Sequence, residues 1–201
     1  MTHPKPTRLP SFLALNPRGK TPVLIDVDDS RTVMNESLAI LYYLETYYPD
    51  HGRSLLPPLH ERSSRARILS LIQESENLHN AYDTLEDAFF HARDTSTQTE
   101  FVTSIRPGLL QSLDYELQFW ERYASNSPGN FIAGRAELTL ADCAFYPILG
   151  YMLRRGFTFD SKWPGLKRYY ETVWNMPSQS ARKAQPEGWK GKGKTDVFRG
   201  T

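Results

Sequence analysis

Two places in this 201-residue sequence hold side chains whose type and spacing could do chemistry. The first is Glu36-Ser37, where a helical run starts directly after an apolar stretch. The first N–H groups of a helix lack partners and lie at the positive end of its dipole, so they favour a carboxylate, and the Ser37 hydroxyl adds a donor. Glu36 beside it could accept from an ammonium group. Upstream, Thr21-Pro22 opens the run "TPVLIDV". A residue with no N–H and a fixed φ belongs at a strand's first position, at an edge, or in a turn with a cis peptide. A backbone edge at Thr21 with Glu36 and Ser37 as a clamp for amine and carboxylate is an arrangement suited to a peptide. The plainer alternative is that Glu36 and Ser37 cap their own helix. The second place is His79 and Asp83, one turn apart on a helix, which could form an acid/base pair; a solvated polar face is the commoner reason for such residues.

The elements that must position these groups can be read from hydrophobic periodicity. Pro4, Pro6 and Pro10 keep the N-terminal arm out of a central strand, and "SFLALNPRG" gives a short helical turn ended by Asn16 and Pro17. "TPVLIDV" (21–27), turn residues 28–31 and "TVMN" (32–35) predict a β-hairpin. From Glu36 the period changes to that of a helix, with Leu38, Leu41, Tyr42, Glu45 and Tyr48 at spacings of three and four; Pro49 ends it. Residues 51–59, with their Pro-Pro pair, have the composition of a linker.

The rest reads as helix. Ile68, Leu71, Ile72, Leu78, Tyr82, Leu85 and Phe89 form one long stripe, broken only by Ser75. Pro107 suits the first turn of another helix, which buries Leu110, Leu113, Leu117 and Trp120. Further helices are expected from Leu140 to about Leu153, begun by a Thr139/Asp142 capping box, and from Pro164 to Asn175. The tail is too polar to fold alone and is expected to fray or to dock through Trp189 and Phe198.

Composition narrows the function classes. Lys and Arg number 24 against 23 Asp and Glu, a formal charge of +1, so no global field favours nucleic acid or an anionic membrane. No apolar run reaches the ~18–20 residues of a membrane span, and the N-terminus lacks the apolar segment of a signal peptide. The single cysteine, Cys143, excludes an intrachain disulfide and fits a reducing compartment, so a cytoplasmic location is expected. The five histidines show no metal-ligand spacing, and no metal is expected.

"FLALNPRGKTPVL", "NESLAILYYLETYYP" and "FIAGRAELTLADCAFYPIL", in this order, resemble the glutathione transferase superfamily from about Ser11 to Trp189. The resemblance implies a shortened thioredoxin-like domain over residues 1–50, a linker over 51–59 and an all-helical domain over 60–201. It implies that Pro22 follows a cis peptide, that Thr21 pairs with the cysteinyl backbone of glutathione, and that Glu36 and Ser37 hold the γ-glutamyl end. Lys20 sits where a side chain approaches the glycyl carboxylate. Only some 20 residues precede Pro22, whereas a strand-helix-strand unit takes about 30, so the family's first strand and its thiol-activating residue are expected to be missing. The bare strand edge would then be covered by the arm, the tail or a second subunit, the family commonly forming homodimers.

Without that residue, the helix carrying Glu74, His79, Tyr82, Asp83 and Glu86, and later His91, is the place to look for a substitute. Only His79 and Asp83 stand out, because Tyr82 continues the apolar stripe. The function implied is that of a glutathione transferase-like protein, with glutathione as co-substrate. It would act on a small electrophilic or apolar metabolite between the domains by conjugation, isomerisation or addition. The alternative is a non-catalytic module that holds a ligand or a protein partner.

Overall fold

The computed structural model describes residues 5–93, 98–176 and 197–198, and the chain divides into two compact units, Met1–Leu56 and Pro57–Thr201. The first carries the thioredoxin-like part, and the regular elements among the described residues of the second are all helical.

In the first unit a 3-10 turn (Pro6–Arg8) and a single helical turn, α1 (Pro10–Leu13), precede the hairpin of β1 (Val23–Asp26) and β2 (Thr32–Asn35). The strands pair antiparallel, Val23 opposite Asn35 and Asp26 opposite Thr32. β1 is shorter than "TPVLIDV" suggests, because Pro22 has no N–H to give the ladder. Among the described residues β1 pairs with no strand but β2.

Ser30 and Arg31 form the turn with φ of 50° and 60°, and the Thr32 N–H donates to the Asp29 carbonyl at 2.8 Å. Two consecutive left-handed residues match the twist of a hairpin but ordinarily call for Asn-Gly. Here a carboxylate supplies the missing support. Buried Asp26 accepts from the Asp28 and Asp29 N–H groups through Oδ1, at 2.9 and 3.2 Å. Its Oδ2 accepts from the hydroxyls of Tyr43 and Tyr48 at 2.6 and 2.7 Å. Both tyrosines belong to α2 (Ser37–Tyr47) or its cap, so one side chain joins turn to helix. The two phenols hold the Asp26 carboxyl below its usual range, and the Tyr48 hydroxyl, bound to that carboxylate, is pushed up to about 12.

The second unit is built on the 32-residue α3 (Arg62–Arg93). Ile68, Leu71, Ile72, Leu78, Tyr82 and Leu85 of the expected stripe are all fully buried. Ser75 interrupts it at little cost, since its hydroxyl donates to the Ile72 carbonyl at 2.7 Å. A short turn, α4 (Gln98–Glu100), and a π-helical turn (Phe101–Ile105) lead into α5 (Arg106–Ser125), with Pro107 in its first turn. α6 (Leu140–Arg154) begins at the Thr139/Asp142 box and continues through Pro147.

The core between α5 and α6 centres on Trp120 stacked on Phe145, ring centroids 3.9 Å apart. α7 (Pro164–Trp174) enters against α5, and the Glu121 carboxylate receives its Gly165 and Leu166 N–H groups at 2.8 and 2.9 Å. An anion at a helix N-terminus is the favoured placement.

Val197 and Phe198 are buried on this unit. The buried Arg106 guanidinium donates to the Val197 carbonyl at 2.8 Å, and Phe198 lies parallel to Tyr82. Trp189 lies outside the described residues.

Candidate functional site

The loop before β1 and the junction of β2 with α2 come together at one end of the hairpin, because Val23 opposite Asn35 sets Pro22 beside Glu36. Asn16 shapes the loop. Its Nδ2 donates to the Lys20 carbonyl at 2.7 Å, and its Oδ1 accepts the Arg18 N–H at 3.1 Å. Gly19 stands at φ 63°, and a Cβ there would lie 2.8 Å from the Arg8 guanidinium. Lys20, Thr21 and Pro22 are therefore displayed outward, all three exposed, and the Thr21–Pro22 peptide bond is cis.

On the facing segment Asn35 reaches back to the Leu15 carbonyl at 3.3 Å. Glu36 follows at φ 73°, ψ 119°, a left-handed conformation rare for a side chain of this kind. That backbone turn carries Glu36 and Ser37 out of the sheet, and both are exposed. No side chain caps α2 at its N-terminus. Glu36 and Ser37 do not use their side chains as N-caps, and the helix's first N–H groups remain available to an anion.

His79 and Asp83 sit on α3 with His79 Nε2 3.4 Å from Asp83 Oδ1, while Nδ1 is 3.9 Å from Glu76 Oε1. The histidine and the aspartate are about half exposed, at 45% and 49%. Tyr82 and Glu86, on the same helix, belong to a more enclosed cluster that spacing along the sequence disclosed only in part. The buried Tyr82 hydroxyl donates to Glu86 Oε1 at 2.9 Å, and Arg155 Nε pairs with the same oxygen at 2.6 Å. Arg155 also reaches the Tyr151 hydroxyl and packs against the rings of Phe90 and Tyr151. Burial and the Glu86 charge push the Tyr82 hydroxyl well up. Its partner Arg155 lies some 70 positions away, beyond the reach of any spacing rule. Glu74 is engaged by the Tyr123 hydroxyl at 2.8 Å. Among the described residues no His, Cys, Asp and Glu cluster could hold a metal ion.

Two family models match the chain: "Glutathione S-transferase, N-terminal domain" over residues 1–46 and "Glutathione S-transferase, C-terminal domain" over residues 73–172. The chain belongs to the glutathione transferase superfamily. Glutathione S-transferase A of Pleuronectes platessa is 26% identical over 179 residues, covering 88% of this chain and 73% of the relative. Among solved structures, a glutathione S-transferase from the Antarctic clam Laternula elliptica aligns over 96% of this chain and 80% of its own, with 26% identity and a TM-score of 0.76. A maleylacetoacetate isomerase from Methylobacterium extorquens, solved with bound malonate and glutathione, aligns over 90% of this chain and 81% of its own, with 28% identity and a TM-score of 0.63.

Proposed function

We propose that this member of the glutathione transferase superfamily binds glutathione at the hairpin end and uses it on a small electrophilic or apolar metabolite, by conjugation, isomerisation or addition. The observation that carries the reading is the uncapped N-terminus of α2 beside an outward-facing Thr21. In this reading the α-carboxylate of the γ-glutamyl group takes the first N–H groups of α2 and the Ser37 hydroxyl, and its ammonium takes Glu36. The cysteinyl backbone pairs with Thr21, and Lys20 approaches the glycyl carboxylate. The glutathione bound to the isomerase named above supports the choice of tripeptide. We place the protein in the cytoplasm, acting as a homodimer.

A second reading, a ligand-holding or protein-interaction module, draws on the state of the His79–Asp83 pair. Half exposed, it has the character of a solvated helix face rather than of an enclosed acid/base site.

Thermal melting with glutathione decides whether the site binds. At a glutathione concentration ten times the Kd, mass action stabilises the folded protein by about 1.4 kcal/mol. Ser37→Ala should lose most of that protection while melting at the wild-type temperature without ligand. Unchanged melting of the wild type at millimolar glutathione would overturn the reading.

A further inference from the structure

On the helical unit, the end of α5 and the loop before α6 line an open groove of about 500 Å³. That volume lies within the range of small-molecule sites, ~300–1,000 Å³. Arg67 of α3 and Arg122 of α5 both line it. The Arg67 guanidinium carbon stands 4.4 Å over the Tyr123 ring and that of Arg122 4.7 Å over the Phe119 ring. The two guanidinium groups thus sit over aromatic rings one helical turn apart, Arg67 also bonding the Tyr123 hydroxyl, and further N–H groups of each remain for a ligand.

Among the described residues neither arginine forms an ion pair. The nearby carboxylate of Glu74 accepts the Tyr123 hydroxyl at 2.8 Å. Arg122 spends one donor on the Gln118 carbonyl at a long 3.4 Å. Asn126 and the apolar Pro128, Ile132 and Ala133 also line the groove. Both arginines are exposed on one concave surface, a local concentration of positive charge that attracts an anion.

We propose that this groove is a second binding site, for a small molecule carrying a doubly charged oxyanion on an apolar body, of which a phosphate monoester is the best match. Two planar forks present more parallel donors than one carboxylate can accept, whereas a tetrahedral phosphate has three terminal oxygens to share between them. The body of the ligand packs on Pro128, Ile132 and Ala133. The wall is fixed: Ile132 N–H donates to Asp142 at 2.9 Å, and the Ser127 hydroxyl donates to the Phe131 carbonyl at 2.8 Å.

The test is calorimetric titration of the full chain with phenyl phosphate at constant ionic strength, with benzenesulfonate as a ligand of similar shape and lower charge. Phenyl phosphate should bind, and benzenesulfonate at least about tenfold more weakly. Arg67→Gln and Arg122→Gln should each weaken phenyl phosphate about tenfold, the loss of one charge-assisted fork. Arg122→Lys, which keeps the charge, should recover only part of the loss. Circular dichroism and the response to glutathione should be unchanged in all three variants, so failure here is distinguishable from failure of the glutathione reading. Absence of phenyl phosphate binding at millimolar concentration, equal affinity for the sulfonate, or full affinity in both glutamine variants would overturn the proposal.

Discussion

Asp142 is the residue on which the helical unit turns. Its carboxylate is almost completely buried and accepts three hydrogen bonds: Ile132 N–H at 2.9 Å, Thr139 N–H at 2.7 Å and the Thr139 hydroxyl at 2.8 Å. Asp142→Ala orphans all three donors. The hydroxyl can rotate, but Ile132 and Thr139 are themselves buried, so their two N–H groups find no water. At about 1–3 kcal/mol for each buried unpaired donor the loss is about 2–6 kcal/mol. Burial raises the Asp142 carboxyl above its usual range, a cost the alanine variant escapes, so the expected loss lies near the middle, about 3 kcal/mol. Asp142→Asn keeps the shape and one acceptor oxygen, and should lose about half as much. Urea unfolding followed by tryptophan fluorescence reads this directly, since Trp120 and Trp163 are buried in the same unit. With a slope of about 2 kcal/mol per molar urea, alanine should lower the midpoint by about 1.5 M and asparagine by about 0.7 M. A shift below about 0.3 M for alanine, or equal shifts for the two variants, would refute the account of Asp142 as the clamp between loop and helix.

The first unit should be acid-sensitive through Asp26. Its folded-state carboxyl is depressed by the Tyr43 and Tyr48 hydroxyls, so its contribution is complete above the unfolded value and is lost as pH falls through the folded one. Melting followed by tyrosine circular dichroism from pH 6 to 3 should show an acid limb that Asp26→Asn flattens; identical limbs would contradict it. Gly165→Ala should destabilise the helical unit by about 2–3 kcal/mol, because its Cβ would lie 2.3 Å from Ser125 Oγ and 2.9 Å from the Ser125 nitrogen. Loss of the Glu121 bonds to the start of α7 should accompany that change, seen as faster amide exchange at Gly165 and Leu166.

Much of this was legible because periodic signals carry their own geometry. The α3 stripe from Ile68 to Leu85, the Thr139/Asp142 box and the hairpin followed by the helix after Glu36 are each set by neighbours within a turn or two. Contacts that join distant segments left no such trace. The α2 pattern set Leu38, Leu41, Tyr42, Glu45 and Tyr48 on one face, widened by Leu44, yet Ile40 is the buried residue, those five are only partly covered and Leu44 is 39% exposed. Tyr48 of that pattern and Tyr43 outside it both bond the hairpin through Asp26, whose role as a turn anchor a composition of "DDSR" does not disclose. Arg67 and Arg122, 55 positions apart and both exposed, come to one groove only through the packing of α3 on α5.

The same distinction bears on the hairpin end. Lys20, Thr21, Pro22, Glu36 and Ser37 were marked by type and resemblance; what makes them a unit is a pair of asparagines. Asn16 fixes the Lys20 carbonyl, and Asn35, the residue before Glu36, holds the Leu15 carbonyl from the opposite strand. The loop and the helix start are thus tied to each other by protein bonds alone. Under the proposed function, glutathione would meet backbone donors already in position and spend little of its binding energy ordering them. The left-handed backbone of Glu36 is held in the same way, by a paired strand on one side and α2 on the other. Strain of this kind persists only where the surroundings over-determine it.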